Sequence, residues 1–242
     1  MKKNILSMTL LTAAVAMMSL ASCDNVDDYN SNIHDPVLPE AVKEPVKLNL
    51  PSGTQWAPMN LGAQSPYDYG TFYAWDANLA SQLWGNEWTL PTREQVEELF
   101  NSCTWENVSY NGKSLVVGTS KYPDKLECGN CQSTGVVTVS KEDPETGETV
   151  EEEATCDVCE GKGFNYAAPA KIYISLTGQI LPDRTAVQYQ GSRAYFWTAE
   201  EGTEDSGSAY YMYVNKGKSG TSITCDLAEK AVKNAVRCVK KQ

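Results

Sequence analysis

Cys128-Gly129-Asn130-Cys131-Gln132-Ser133-Thr134-Gly135 and Cys156-Asp157-Val158-Cys159-Glu160-Gly161-Lys162-Gly163 are two versions of one pattern within a single acidic stretch. A C-x-x-C loop aims two thiolates at one metal ion, and a second such loop completes a tetrahedron. The glycines permit turns that bring amide N–H groups near the sulfurs. This reading splits the chain into a small insert, 122–166, and a larger host. Inside the insert, Val136-Val137-Thr138-Val139 and Thr149-Val150-Glu151-Glu152-Glu153 flank Asp143-Pro144-Glu145-Thr146-Gly147. That is a hairpin whose base carries both cysteine loops. A two-stranded ribbon is marginal alone. Four thiolates around one ion would hold it, because metal-binding free energy becomes folding free energy. We therefore expect zinc at Cys128, Cys131, Cys156 and Cys159. Two disulfides are the alternative in an exported chain. A redox pair fits less well, because a reactive C-x-x-C usually opens a helix and each pair here opens a glycine turn. Four protein thiolates leave no open coordination position, so the zinc is expected to be structural.

Outward from the insert the host reads as α+β. Val46, Leu48 and Leu50 alternate with polar residues before a Pro51-Ser52-Gly53 turn. Trp75 and Leu79, four apart, suggest a helix over 72–83. A second helix follows Pro91. Thr92 and Gln95 form a capping box, and Val96, Leu99, Phe100 and Cys103 make one apolar stripe. Short strands are expected at 114–117, 171–176, 194–197, 209–214 and 235–240. Two early helices with short, mostly antiparallel strands define the α+β expectation.

The N-terminus reads as a processing signal. Lys2 and Lys3 precede an apolar run and then Leu20-Ala21-Ser22-Cys23. The run is short for a membrane-crossing helix. A cysteine after Leu-Ala-Ser looks like a bacterial lipobox, which implies removal of 1–22 and lipidation, a palmitate-bearing anchor, at Cys23. Asp24-Asn25-Val26-Asp27-Asp28 resembles the signal that sends lipoproteins of the Bacteroides group to the outer face of the outer membrane. Residues 23–45, with Pro36, Pro39 and Pro45, read as a tether.

Charge narrows the partners. Lys2 and Lys3 are the only charges before Cys23, so 20 − 2 = 18 basic residues face 31 acidic ones in the mature chain, net −13. Nucleic acid is a poor partner for such a chain. Anionic head groups repel it, so membrane attachment falls to the lipid. Beyond Cys23 and the four insert cysteines remain Cys103, Cys225 and Cys238, an odd number.

The host resembles the Fibrobacter succinogenes major paralogous domain family of exported Bacteroidetes proteins. The likeness rests on Leu50-Pro51-Ser52-Gly53-Thr54-Gln55-Trp56-Ala57, on Asn60-Leu61-Gly62-Ala63-Gln64-Ser65-Pro66, and on Asp68-Tyr69-Gly70-Thr71-Phe72-Tyr73-Ala74-Trp75. It continues through Trp88-Thr89-Leu90-Pro91-Thr92-Arg93-Glu94-Gln95 and Asn101-Ser102-Cys103-Thr104-Trp105. It ends with Tyr195-Phe196-Trp197-Thr198-Ala199-Glu200, Ala209-Tyr210-Tyr211 and Ala235-Val236-Arg237-Cys238-Val239-Lys240. The resemblance implies a C-type-lectin-like domain over 46–242, interrupted by the insert, and an exported binding protein. Neither a Glu-Pro-Asn or Gln-Pro-Asp triplet nor a Trp-Asn-Asp triplet occurs, so calcium-dependent sugar binding is not supported. Cys103 and Cys238 stand in matching family motifs, which makes them neighbours with two readings, a disulfide or two buried thiols. The insert resembles the C-x-x-C-x-G-x-G repeat of J-domain co-chaperones, with Ser133 in place of one glycine.

Catalysis finds little support. The only histidine, His34, lies in the tether, so a nucleophile–histidine pair inside the host is unavailable. The expectation is an exported, lipid-anchored binding or adhesion protein of the cell surface that takes an extracellular glycan or protein ligand. The alternative is an envelope enzyme acting on glycans or proteins. Tyr67, Tyr69, Tyr189, Tyr210, Tyr211 and Tyr213 could offer a stacking surface, or pack as half-buried strand residues.

Overall fold

Ala194-Tyr195-Phe196-Trp197 is buried residue after residue, on both faces of its strand, and that run sets the layering. The computed structural model describes residues 44–203, 207–217 and 220–241. In chain order they form α1 (Leu79–Trp84), β1 (Trp88–Thr89), α2 (Arg93–Ser102), β2 (Cys103–Tyr110), β3 (Lys113–Ser120) and β4 (Lys125–Glu127). Then come β5 (Val136–Glu142), β6 (Thr149–Thr155), β7 (Phe164–Tyr166), β8 (Lys171–Ser175) and β9 (Arg193–Glu201). Last are β10 (Ser208–Gly217), β11 (Gly220–Glu229) and β12 (Val239–Lys240).

Two antiparallel three-stranded sheets, ordered β2-β3-β8 and β11-β10-β9, carry the host. One apolar cluster joins them. It takes Val116, Ile172 and Ile174 from the first sheet, Phe196, Met212 and Val214 from the second, and Val96 and Leu99 from α2. A second cluster lies on the other face of β9 and β10. There Tyr195, Trp197 and Tyr211 pack with Leu79, Trp88, Leu90 and Val236. The stripe on α2 thus faces the first core, and its Thr92–Gln95 capping box forms at 2.9 and 3.2 Å.

Arg237 locks the chain ends together. It is fully buried and donates to Asn60 Oδ1 at 2.8 Å, to the Ala57 carbonyl at 3.1 Å and to the Tyr173 carbonyl at 2.9 Å. Burial pulls its guanidinium down to about 9, still protonated at neutral pH.

The insert leaves and re-enters at one rung of a ladder. Thr119 on β3 pairs with Lys171 on β8, and the Ser120 amide bonds the Ala170 carbonyl at 2.9 Å. Everything from 121 to 169 is therefore an excursion from a single β3–β8 pair. Within it β4 pairs with β7 and β5 with β6, both antiparallel.

The expected α+β, C-type-lectin-like class is corrected by this architecture. The described residues are mostly small antiparallel sheets, 44% strand against 8% helix, with two helices among them. The helix expected over 72–83 is six residues long, Leu79–Trp84. Upstream the chain is extended instead. Tyr73 exchanges two backbone bonds with Asn234 at 2.9 and 3.0 Å, and the Trp75 amide bonds the Lys230 carbonyl at 2.9 Å. Pairing across the fold outweighs an i, i+4 spacing that also occurs by chance in strands. Besides the short β1, β4 and β7, two long strands had no expectation, β2 and β11. Both lie at sheet edges with largely exposed side chains; β2 loses its alternation after Trp105, whereas β11 alternates Ile223, Cys225 and Leu227 with Ser222, Thr224 and Asp226, a period that went unread. Cys103, expected in the last helical turn, opens β2.

Candidate metal centre

The four insert cysteines sit at the ends of two short ladders. Cys128 follows β4, Cys131 precedes β5, Cys156 follows β6 and Cys159 precedes β7. Each C-x-x-C loop turns on the same bonds. The Ser133 amide meets the Cys128 carbonyl at 3.2 Å and the Thr134 amide the Cys131 carbonyl at 3.0 Å. In the second loop Gly161 meets Cys156 and Lys162 meets Cys159, both at 3.0 Å. The loops then clasp each other, with the Cys128 amide on the Gly163 carbonyl at 3.1 Å and the Cys156 amide on the Gly135 carbonyl at 2.9 Å. The result is an approximate two-fold axis through the cluster.

Glycine is required at the clasp. Gly135 and Gly163 have φ of +81° and +77°, and a methyl on either would run into the backbone of the other loop, at the Gly161 and Ser133 carbonyl oxygens respectively. The amides of the same two glycines point at sulfur, Gly135 to Cys131 Sγ and Gly163 to Cys159 Sγ, each at 3.3 Å. The glycine spacing in the sequence thus encodes both a close approach and a pair of N–H···S bonds.

The sulfurs converge. All four lie within 4.8 Å of one another and every cysteine is buried. Cys128 and Cys156 sulfurs are 3.8 Å apart and those of Cys131 and Cys159 are 3.6 Å apart. A disulfide needs about 2.05 Å, so none is formed here. This set of four thiols could hold one metal ion.

The electrostatics point the same way. Cys156 is held down to about 6, chiefly by Asn130, whose Nδ2 donates to its sulfur at 3.4 Å. For Cys131 burial opposes ionisation, but the Gly135 amide and the Cys128 and Cys159 thiols outweigh it and lower its value. Cys159 is pushed up to about 11 by burial, and next by its neighbouring thiols, against the Gly163 amide. Negative charge is thus invited onto the cluster but cannot fill it unless a cation is present. Asn130 was not singled out in the sequence. Its counterpart in the second loop is Val158, so the repeat itself gave no signal for it.

The remaining cysteines are thiols apart from this centre. Cys103 belongs to the first core cluster and Cys238 to the second, and both are buried free thiols in this structure. Burial pushes Cys103 up to about 11, Cys238 to about 12 and half-buried Cys225 to about 11. Each is a protonated thiol at neutral pH. Cys23 and His34 lie outside the described residues. Of the tryptophans in the family motifs, Trp56, Trp88 and Trp197 are core residues, while Trp75 and Trp105 pack half-buried against it. Among the described residues no helix is long and apolar enough to cross a membrane.

Comparison with protein-family models, with curated proteins and with solved structures finds no match to this chain. The residues themselves carry the functional argument.

Proposed function

We propose that this is an exported, lipid-anchored protein of the cell surface, a non-catalytic binding or adhesion module whose insert is held by a structural zinc ion. The enclosed four-sulfur cluster carries the metal half of this reading. A tetrahedron with Zn–S bonds of about 2.3 Å has edges of about 3.8 Å, close to the 3.8 and 3.6 Å between facing sulfurs. Cys128, Cys131, Cys156 and Cys159 would be the four ligands. They fill a tetrahedral shell, so the ion would brace the loops and offer no site for substrate or activated water.

The anchoring half rests on Lys2, Lys3, the apolar run and Leu20-Ala21-Ser22-Cys23. The lipid would hold the chain, the tether give reach, and the host with its insert face outward. The resemblance to the major paralogous domain family supports an exported binding role. The net charge of −11 leaves nucleic acid out of this reading.

Two measurements test it. Elemental analysis of the purified chain should find one zinc per molecule. Well under one zinc, together with no free thiols, would replace the metal by disulfides, and iron in its place would correct the ion. The full chain should show saturable binding on an array of glycans and matrix proteins without turning any of them over. Turnover of a polysaccharide or protein, lost when one carboxylate is changed, would make it an envelope enzyme instead.

A further inference from the structure

β9, β10 and β11 turn one face toward the first core. The other face is part core and part surface. In register across the three strands, Arg193 stands beside Asn215 and then Ser222, and Tyr195 beside Tyr213 and then Thr224. Tyr195 is only 4% exposed and forms the floor. The rings of Tyr213 and Tyr189, 5.3 and 6.3 Å from it between centroids, are more exposed. Tyr189 is 49% exposed. Ser222, Thr224 and Asp226 line the outer strand with exposed polar groups.

Two features mark this as more than incidental surface. Tyr189 has φ of +62°, a left-handed conformation that a bulky L-residue rarely adopts. The fold enforces it. Gln188 and Gln179 exchange two backbone bonds at 2.7 and 3.0 Å, Gly191 bonds Leu176 at 2.8 Å, and Arg193 bonds the Tyr189 carbonyl at 3.0 Å. A side chain presented from a strained backbone position is a pattern found at ligand sites.

The second feature is Arg193. Its guanidinium lies over the Tyr189 ring at 4.5 Å, and the Tyr195 phenol helps to hold it charged. Tyrosines are its neighbours, and no carboxylate pairs with it among the described residues. In a chain with 31 acidic residues, an arginine caged by phenols is a preset hydrogen-bond donor with unused N–H groups.

We propose that this face, built on Tyr189, Arg193 and Tyr213, is a platform for a neutral oligosaccharide, which names a site and a ligand class within the binding-module reading above and rests on it. Ring faces stack on the C–H faces of pyranose units. Arg193, Asn215 and Ser222 meet the hydroxyls at the edge. Strands about 4.8 Å apart present these groups as parallel rows, so a chain of several sugars can be followed across the sheet. Charge selects a neutral chain. The protein is net −11, and Asp226 stands on this same face, in register with Tyr211. A polyanionic glycan meets repulsion here. A protein partner is disfavoured because the outer row is polar and gives a hot-spot residue no apolar pocket to fill.

The test uses the full chain in affinity electrophoresis through soluble β-glucan, xylan, mannan or starch, with polygalacturonate and unfolded casein as comparators. At least one neutral glycan should retard it. Tyr213→Ala and Tyr189→Gly should each weaken that retardation about three- to tenfold, the range expected for one aromatic contact. Tyr213→Phe should stay within about twofold. Tyr189→Gly removes the strained side chain, so its melting temperature should be no lower than that of the parent, which separates loss of binding from loss of fold. Glycan retardation unchanged in both ring variants would overturn this site while leaving a binding module. Retardation by casein or polygalacturonate alone, or by nothing in the panel, would overturn the neutral-glycan assignment. In either case the array of matrix proteins decides separately whether the module reading stands. Turnover of the glycan would sink that reading too.

Discussion

The host and the insert solve the same stability problem with opposite means. The host buries two apolar clusters, with Trp56, Trp88, Trp197, Phe196 and Leu99 essentially removed from water. The insert has no such reserve. Its only buried cluster is the four cysteines with Val137 packed against them, while Leu126, Tyr166, Val150 and Val158 are exposed. Apolar area stabilises at roughly 25 cal/mol per Å², and the insert buries too little to offset the entropy of ordering its backbone. Stability in the host is thus spread over dozens of contacts, and in the insert it is concentrated at four atoms. The host should tolerate conditions that the insert does not.

Removing the proposed zinc ion is the strongest way to break that contrast. Structural zinc sites bind with apparent free energies on the order of 10 kcal/mol at neutral pH. Chelation, or Cys131→Ser, should let amides in the insert exchange freely while those of β3, β9 and β10 stay protected. Hydrogen exchange read by mass spectrometry checks this directly, and equal loss in both regions would show the two to be one cooperative unit. Acid should act on the same side as chelation. In the cation-free cluster Cys156 ionises near pH 6, below its ordinary value of 9.0. A lowered value means that its contribution is present above the ordinary value and is lost as pH falls through about 6. Metal release runs in the same direction, because bound thiolates must be deprotonated.

The converse change belongs in the host. Phe196 is fully buried between the two three-stranded sheets. Phe196→Ala should cost about 3–5 kcal/mol in denaturant unfolding of the host. Zinc content and hydrogen exchange within the insert should not change. A fall in zinc stoichiometry at mild denaturant would mean that the insert depends on the host core after all.

The same contrast explains what was readable in the sequence. The insert's chemistry was plain because it is local. Cysteine spacing, glycine turns and a hairpin all lie within one short stretch, and the cluster forms from residues in that stretch. The capping box on α2 is local in the same way. The host's class was misread where long-range pairing decides the backbone. Tyr73 is extended because Asn234 lies opposite it, not because of its own neighbours. The edge strand β2 loses its period after Trp105, whereas β11 alternates Ile223, Cys225 and Leu227 with polar residues and was legible in the sequence. Arg237 could be quoted from a motif, but its three carbonyl and amide partners come from Ala57, Asn60 and Tyr173, far apart in the chain. The tyrosines were visible as a set. Only the register of β9, β10 and β11 sorts those of the second sheet into buried and partly exposed residues.

A finer change probes the clasp between the two cysteine loops. Gly163→Ala places a methyl against the Ser133 carbonyl oxygen, at a φ of +77°. The backbone of one loop must shift, and the Gly163 amide then leaves its sulfur. The cost should exceed 1 kcal/mol, roughly the strain of a left-handed L-residue alone. Zinc affinity in a competition assay with a chromogenic chelator should fall at least about fivefold, which corresponds to about 1 kcal/mol. Affinity equal to that of the parent would show that the clasp contributes nothing to the site.

The smallest expected effect is a gain. Under the approximate two-fold axis, Ser133 stands where the second loop has Gly161, and the two share nearly the same backbone, φ +68° and +80°. The first loop therefore holds serine in a conformation that glycine adopts without strain. No bond made by the Ser133 hydroxyl supports the turn. Its amide contact to the Cys128 carbonyl would survive the change. Ser133→Gly should relieve about 1 kcal/mol of strain in the folded loop, partly offset because glycine also frees the unfolded chain. The net is a gain of a few tenths of a kcal/mol, seen as slightly tighter zinc binding and no change in host unfolding. If Ser133→Gly instead weakens the site as much as Gly163→Ala does, the two loops are not equivalent, and the symmetry of the clasp is only apparent.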